Sequence, residues 1–229
     1  MERVRVGIAG YGVIGQRLAD GVAAQEDMEL VGVSDVAPTL SLRALAERGM
    51  PYRLYAAIPG AEEALEAAGI AVSGSFDDLL DNVDIMLDST PGGVGAKNKA
   101  IYAERGLKAV FQGGEAGEIA DVFFHGYANY EKGLGADFLK LTSCNTTGLI
   151  RAIDCLDRVA GIEKTAVTII RRVADPGDTH RGLVDLLLLE PIPNHQAVDL
   201  MNIMPHIEAT GILVHTPVTH GHIITILAT

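Results

Sequence analysis

The first two thirds of the chain alternate between short apolar runs and segments with helical apolar spacing. Buried strands are predicted at residues 4–9, 30–34, 85–88 and 109–112, with a short strand or loop at 52–58. Helices are predicted at residues 13–24, 40–48, 61–68, 77–80, 96–104 and 127–132. This alternation predicts a doubly wound α/β fold, in which a parallel sheet is covered on both faces.

The pattern changes near residue 143, where an extended run over residues 137–142 leads into a predicted helix at 146–159. A strand with alternating β-branched residues follows at 165–172, and further strand candidates lie at 182–189, 212–215 and 223–227. We therefore expect a first region of residues 1–142 and a second region of residues 143–229.

Charge and composition exclude several classes of function. The 229 residues carry a net charge of −12, which argues against nucleic acid or an anionic membrane surface as the main partner. The apolar tracts are too short to span a bilayer, and two cysteines do not indicate a disulfide framework. These features predict a cytoplasmic protein.

A glycine-rich turn follows the first predicted strand and opens the first helix, with the sequence Gly10-Tyr11-Gly12-Val13-Ile14-Gly15. Glycines there permit a tight turn and a close approach to a pyrophosphate, which the helix N-terminus would hold. Asp35 ends the second strand, where an acidic side chain can bind the ribose hydroxyls of NAD and repel the 2′-phosphate of NADP. Alternatively, Asp35 only begins a turn.

The segment Ser143-Cys144-Asn145-Thr146-Thr147-Gly148-Leu149 places a cysteine where a strand gives way to a helix. Ser143 is a good N-cap, so Cys144 would lie on the first helical turn, where free amides and the helix dipole favour a thiolate. A thiolate is the nucleophilic form of cysteine. The alternative is a buried structural cysteine, and we expect that role for Cys155 further along the helix.

Two pairs of basic residues are further candidates for the functional site. His220 and His222 flank a glycine, and strand alternation would place both on one side, as a general base or as metal ligands. No cysteine or carboxylate partner lies nearby in sequence, so we expect no metal site. Arg171 and Arg172 are neighbours on one strand and would face opposite sides, so only one can face a site directly.

Several motifs occur in order along the chain: Gly10-Tyr11-Gly12, residues 91–98, Phe111-Gln112-Gly113-Gly114-Glu115, Asn129-Tyr130-Glu131, the segment around Cys144, Arg171-Arg172 and Asp175-Pro176. Together they resemble the archaeal-type (class II) phosphorylating glyceraldehyde-3-phosphate dehydrogenases over nearly the whole chain. The resemblance implies a Rossmann domain at residues 1–142, an α+β catalytic domain with a mixed sheet at residues 143–229, and a homotetramer. Family chains continue beyond the position of Thr229, so we expect part of the catalytic domain to be missing here.

The resemblance also implies roles for individual residues. Cys144 matches the nucleophile and His222 the catalytic histidine, with His220 as its competitor. Cofactor contacts are implied or predicted for Gly10, Gly12, Val13, Ile14, Gly15, Asp35, Gly113 and Arg171. Substrate or phosphate contacts are expected from Ser143, Asn145, Thr146, Arg172, His195 and Gln196, of which Gln196 replaces a family histidine.

The resemblance implies the phosphorylating oxidation of D-glyceraldehyde 3-phosphate to 1,3-bisphosphoglycerate, a step of glycolysis and gluconeogenesis. Inorganic phosphate would be the second substrate, and NAD, or otherwise NADP, the hydride acceptor. One alternative is a related semialdehyde dehydrogenase, against which the Asn-Thr-Thr after Cys144 argues. The other is a cofactor-binding or thiol redox-sensing relative without turnover.

Overall fold

The structure is a computed structural model that describes residues 3–112, 114–172, 187–218 and 221–229. It contains two compact units. The first comprises Met1–Val122 and Gly135–Lys140, and the second comprises Phe123–Leu134 and Leu141–Thr229. Within the described ranges, every helix is too short or too polar to cross a membrane.

The first sheet has seven strands: β1 (Val4–Ala9), β2 (Met28–Asp35), β3 (Arg53–Ala56), β4 (Ile85–Asp88), β5 (Lys108–Phe111), β6 (Val122–Phe124) and β7 (Phe138–Leu141). Their order is β3-β2-β1-β4-β5-β7-β6. The pairs β1–β2, β1–β4, β2–β3, β4–β5 and β5–β7 are all parallel, which confirms the predicted parallel sheet.

The helices of the first unit are α1 (Val13–Ala23), α2 (Leu40–Glu47), α3 (Ala61–Ala67), α4 (Phe76–Leu80) and α5 (Val94–Glu104), with a 3₁₀ turn at Gly117–Ile119. Two apolar clusters form the core of this unit. Ile8 and Ala9 are adjacent on β1 but belong to different clusters, so both faces of the sheet are covered, as predicted.

The second unit contains α6 (Tyr130–Gly133), α7 (Cys144–Ala160), β8 (Lys164–Arg172), β9 (Leu188–Leu189), α8 (His195–Ile203), β10 (Glu208–Thr216) and β11 (His222–Ala228). The strand order is β11-β8-β10-β9, where β10 is parallel to β8 and the other two pairs are antiparallel. The expected mixed sheet is therefore confirmed. Of the strand predicted at 182–189, residues 182–186 lie outside the described residues.

One helix of the second unit was absent from the sequence prediction. In α8 the side chain of Asn194 caps the helix by accepting the backbone N–H of Ala197 at 2.9 Å. Ala197, Leu200 and Ile203 follow at helical spacing and are buried. Both signals are present in the sequence, so this helix was predictable.

The segment Phe123–Leu134 belongs to the second unit, whereas the predicted boundary placed it in the first. The physical reason is its contact with α7. Nε2 of the buried His125 lies 3.3 Å from the carbonyl oxygen of Thr147, and Arg158 donates to the carbonyl of Tyr127 at 3.1 Å. The boundary was missed because these contacts join residues more than twenty positions apart.

Burial lowers the pKa of His125 below its ordinary value, and this effect outweighs the hydrogen bond to Thr147. The folded chain therefore keeps this ring neutral where the unfolded chain takes up a proton. We expect stability to fall as the pH drops below about 6.5. Chemical unfolding at about pH 7.5 and about pH 5.5 should show a smaller fall for His125→Asn than for the wild type. An equal fall in both proteins would contradict this assignment.

Candidate active site

The strand-to-helix junction after β7 has the geometry predicted for it. Cys144 is the first residue of α7 and is exposed. Ser143 has extended backbone angles, and its hydroxyl accepts the backbone N–H of Thr146 at 3.3 Å, as an N-cap does. The thiol therefore lies on an accessible helical first turn, and the alternative of a buried structural cysteine is wrong for Cys144.

The packing role expected for Cys155 is also wrong. Cys155 is exposed, and so are its neighbours Leu156 and Val159, the latter with 89 % of its surface exposed. The apolar face of α7 that does enter the core carries Leu149, Ile150 and Ile153 instead. The sequence pattern misled because apolar residues continue around the helix onto its outer side.

Asn145 joins the first turn of α7 to β11. Its side chain is buried, with 2 % exposure, and Oδ1 lies 2.6 Å from Nδ1 of His222. Further along the same two elements, a Cβ on Gly148 would lie 3.7 Å from Cδ1 of Ile224. His222 is thus held beside the residue that follows Cys144. His220, its competitor, lies outside the described residues.

His222, Arg171 and His215 form a row across three neighbouring strands. Arg171 on β8 pairs with His222 on β11 and with His215 on β10. Paired residues of adjacent strands share a face, and in β8 Arg171 alternates with the buried Val167 and Ile169. The row therefore lies on the sheet face that α7 and α8 cover.

Arg172 follows the opposite alternation. It comes directly after Arg171 in β8, so it belongs to the other face of the sheet. The expectation that only one of the two arginines can face the site is met by Arg171. The phosphate role expected for Arg172 does not fit this placement.

A carboxylate joins His215 of this row to a further histidine, His195. Glu190 Oε1 lies 2.7 Å from Nε2 of His215, and Oε2 lies 3.1 Å from Nδ1 of His195. Burial alone would raise the pKa of Glu190, but the two imidazole hydrogen bonds and their charges outweigh it and lower the pKa. His195 begins α8 and is half exposed, so a ligand can approach it. Sequence reasoning missed Glu190 and His215.

Three residues expected to contact substrate are covered. Asn145, Thr146 and Gln196 have exposures of 2 %, 0 % and 0 %. Thr146 donates its hydroxyl to Asp199 of α8 at 3.1 Å, and Gln196 Nε2 lies 2.7 Å from Nε2 of His195. Their side chains are buried and bonded to Asp199, His195 and His222, and direct contact with a substrate stays a prediction.

The first unit carries the predicted glycine turn between β1 and α1. Gly10 has a φ of +84°, a conformation that favours glycine, and a Cβ on Gly15 would lie 1.9 Å from the carbonyl oxygen of Gly10. Gly12 is the N-cap of α1 and supplies no side-chain hydrogen bond. The first amides of α1 therefore keep no side-chain cap, as an anion site at this turn requires.

Asp35 and two apolar residues surround this turn. The Asp35 carboxylate accepts the backbone N–H of Tyr11 at 2.9 Å and that of Val36 at 2.7 Å. Val13 and Ile14 on the first turn of α1 are exposed, with 40 % and 45 % exposure. Asp35 thus does more than begin a turn, because it ties the end of β2 to the glycine loop. Gly113 lies outside the described residues.

A buried aspartate that the sequence analysis missed holds the neighbouring loop. Asp88 ends β4 with 1 % exposure and accepts hydrogen bonds from the backbone and hydroxyl of Thr90, from Asn98 and from Tyr102. This network orders the turn at residues 90–93. A Cβ on Gly92 would lie 2.9 Å from the carbonyl oxygen of Gly114, so the loops after β4 and β5 lie together at one sheet edge.

Within the described ranges, no group of three or more His, Cys, Asp or Glu residues could hold a metal ion. The described chemistry therefore consists of an exposed thiol with nearby imidazoles in the second unit and a glycine turn with an acidic partner in the first.

Comparison with known proteins gives the family of this arrangement. A family model for the glyceraldehyde 3-phosphate dehydrogenase C-terminal domain matches residues 143–229. Glyceraldehyde-3-phosphate dehydrogenase 2 of Methanosarcina barkeri is 42 % identical over 229 residues, covering 99 % of this chain and 67 % of the relative. The chain belongs to the glyceraldehyde-3-phosphate dehydrogenase family.

Other members of the family are equally similar. The enzyme of Thermococcus kodakarensis is 45 % identical over 98 % of this chain, and that of Methanothermobacter thermautotrophicus is 43 % identical over 96 %. In both comparisons the chain spans 66 % of the relative's length. The chain therefore corresponds to about two thirds of these dehydrogenases.

Solved structures agree on the fold. Aspartate semialdehyde dehydrogenase II of Vibrio cholerae, complexed with ASA, has a TM-score of 0.69 at 18 % identity, covering 99 % of this chain and 72 % of its own. Aspartate semialdehyde dehydrogenase of Candida albicans, with NADP, has a TM-score of 0.67 at 15 % identity, covering 99 % and 71 %. The dehydrogenase family member described here thus shares their fold.

The close approach of Gly15 to Gly10 gives a testable consequence. Because a Cβ on Gly15 must displace the Gly10 backbone, we expect Gly15→Ala to lower the free energy of unfolding by about 1–3 kcal/mol. Gly21 is a matched control in the same helix, since a Cβ there meets nothing within 4 Å. Gly21→Ala should stabilise by about 0.5–1 kcal/mol in urea unfolding. Equal effects of the two variants would contradict the proposed contact.

Proposed function

We propose that the chain carries the catalytic centre for phosphorylating oxidation of glyceraldehyde 3-phosphate, with Cys144 as nucleophile and His222 as base. The observation that carries this proposal is the exposed Cys144 on the first turn of α7 with His222 held by the next residue, Asn145. Membership of the glyceraldehyde-3-phosphate dehydrogenase family supports the substrate assignment.

The position of Cys144 favours attack on an aldehyde. A thiolate is the nucleophilic form of cysteine, and the exposure of Cys144 at the start of α7 lets a substrate reach it. A bond forms between Sγ and the aldehyde carbon as the carbonyl π bond breaks, and the oxygen takes up a proton. The product is a thiohemiacetal, which keeps the carbon covalently bound for the oxidation step.

His222 serves the second step as general base. The Nε2 lone pair takes the proton of the thiohemiacetal hydroxyl while a hydride leaves the same carbon, so the substrate loses two electrons and a thioester forms. A bound nicotinamide supplies the hydride acceptor. An imidazole has an intrinsic pKa suited to this transfer near neutral pH, and such a base contributes on the order of 10²–10⁴ in rate.

Phosphate then releases the product. A phosphate oxygen attacks the thioester carbon, the carbon–sulfur bond breaks, and the Cys144 thiolate leaves with an acyl phosphate as product. Arg171 and His195 are the groups that we assign to the anions, because Arg171 shares the row with His222 and His195 is accessible at the start of α8. The negative charge of the chain as a whole makes such local cations necessary.

The glycine turn of the first unit fits a dinucleotide. Gly10, Gly12 and Gly15 keep side chains away from the loop, and the uncapped first amides of α1 can hold a pyrophosphate. Asp35 carries one negative charge beside this loop, which disfavours a 2′-phosphate. We therefore assign NAD as the preferred cofactor over NADP.

The test of the proposed function is formation of reduced nicotinamide from glyceraldehyde 3-phosphate, with and without inorganic phosphate. Cys144→Ser should abolish turnover and acyl-enzyme formation while NAD binding stays within about threefold, because only the nucleophile is lost. Cys155→Ser is the matched control, since it removes the other exposed thiol of the same helix.

Three outcomes of this assay distinguish the proposed reaction from its alternatives. Phosphate-dependent turnover that only Cys144→Ser abolishes supports the proposed reaction. Normal turnover of Cys144→Ser excludes the covalent route. Tight NAD binding without turnover, together with rapid oxidation of Cys144 by peroxide, would instead favour the thiol redox-sensing function, which the exposed position of Cys144 also suits.

The role of Asp35 can be tested separately. Asp35→Ser removes the charge that faces the ribose position, so the ratio of NAD to NADP affinity should fall at least tenfold, or about 1.4 kcal/mol. Calorimetric titration of the wild type and the variant with each cofactor measures this ratio. An unchanged ratio would show that Asp35 only fixes the loop through Tyr11 and Val36.

A further inference from the structure

A buried amide beside Cys144 has a function that neither substrate contact nor packing explains. Asn145 is the second residue of α7, and its side chain is 98 % covered, so it does not line the surface that a substrate reaches. Its Oδ1 lies 2.6 Å from Nδ1 of His222 on β11. Within the described part of the chain, its Nδ2 is buried without a hydrogen-bond partner.

We propose that Asn145 is a positioning residue whose side-chain carbonyl accepts the Nδ1–H of His222 and so places the imidazole lone pair on Nε2. This inference rests on the proposed function for the use of that lone pair. The neutral ring has one N–H, and a partner at one nitrogen decides which nitrogen carries it. An acceptor at Nδ1 therefore makes Nε2 the basic atom.

The positioning role depends on which end of the Asn145 side-chain amide faces His222. A primary amide turned the other way would point an N–H at Nδ1, protonate Nε2 in the neutral ring and remove the base. In the structure Oδ1 faces Nδ1 at 2.6 Å, within hydrogen-bond distance, whereas Nδ2 has no partner among the described residues. The carbonyl also remains a good acceptor when Nε2 takes up a proton, whereas an N–H directed at Nδ1 would then meet a second N–H. The orientation with Oδ1 toward Nδ1 therefore suits His222 both before and after Nε2 takes up a proton.

The unpartnered Nδ2 points to the same conclusion. Leaving a buried amide N–H without a partner costs on the order of 1–3 kcal/mol. Packing alone therefore does not account for an amide side chain at position 145. An apolar residue of similar size would avoid that cost. The retained amide is explained if its carbonyl is required by His222.

Charged groups around His222 set the background for any pH effect. On β8 the paired residue is Arg171, on β10 the row continues to His215 with Glu190, and on α7 Cys144 precedes Asn145 in the sequence. Arg171 is the permanent cation of this set. A change at Asn145 leaves all of them in place.

The first test reads the tautomer directly. We would record side-chain ¹⁵N NMR of the histidines in this chain, with His222→Gln used only to assign the signals. In the wild type Nδ1 of His222 should carry the proton, and in Asn145→Ala the population should shift toward the Nε2–H form that free histidine favours. Asn194→Ala is the matched control, because Asn194 is equally buried, caps α8 and also leaves Nδ2 unpartnered. It should leave the His222 tautomer unchanged.

The second test reads the consequence for catalysis. Asn145→Ala should lower kcat roughly 10- to 10²-fold, part of the contribution of a general base, with KM within about threefold. Asn145→Asp keeps the acceptor and adds a negative charge, so it should retain the Nδ1–H tautomer. It should move the acid limb of the pH–rate profile upward by roughly 1–3 pH units.

The outcomes separate this inference from the proposed function. A wild-type His222 with its proton on Nε2, or an unchanged tautomer in Asn145→Ala, overturns the positioning role even if the chain turns over substrate. A rise in KM with unchanged kcat in Asn145→Ala also overturns it, because it indicates direct substrate contact. A wild-type chain without turnover refutes the proposed function, and the NMR experiment still decides the role of Asn145.

Discussion

The first turn of α7 is the constraint on which the second unit depends. Ser143 caps it, and the residues that follow reach out to different elements: Asn145 to β11, Thr146 to α8 and the Thr147 carbonyl to the segment at His125. The cap satisfies a free N–H of the helix N-terminus, and the bonds of Asn145 and Thr146 use side chains whose direction the helix fixes. The Cys144 side chain lies exposed next to these bonded neighbours, so the thiol is accessible.

The first unit depends on places where one backbone segment passes close to another. Its glycine turn is possible only without side chains at Gly10 and Gly15, and the loops after β4 and β5 approach so closely that a Cβ on Gly92 would lie 2.9 Å from the carbonyl oxygen of Gly114. Asp88 fixes one of these loops by collecting four donors on a single carboxylate. Close approach of backbone to backbone and the hydrogen bonds of Asp88 therefore shape this edge of the sheet together.

Most structural features that depend on residues close together in the sequence were predicted from local patterns. The parallel sheet, the cap at Ser143 and the placement of Cys144 on a first turn depend on neighbours within a few residues, and these predictions were confirmed. The grouping of residues 123–134 with the second unit was missed, because it depends on contacts distant along the chain. Helix α8 was missed although its cap and spacing were visible.

The residues of the candidate site also divide into those that the sequence predicted and those that only the fold revealed. Residue types and motifs singled out Cys144, Asp35 and His222, but the burial of Asn145, Thr146 and Gln196 was visible only in the fold. Glu190 was invisible to sequence reasoning, since only the fold brings it to His195 and His215. Strand alternation correctly separated Arg171 from Arg172, and the sheet register then decided which of the two shares a face with His222.

The exposure of both cysteines on one helix limits the oxidation chemistry available to this chain. Positions 144 and 155 are eleven residues apart along α7, so their Cα atoms are separated by about 16 Å at the rise of an α-helix. A disulfide requires Cα atoms less than about 7 Å apart, so neither thiol can resolve a sulfenic acid formed on the other while α7 is intact. Among these 229 residues, Cys155 is the only other thiol, so the rescue of an oxidised Cys144 requires a thiol other than Cys155.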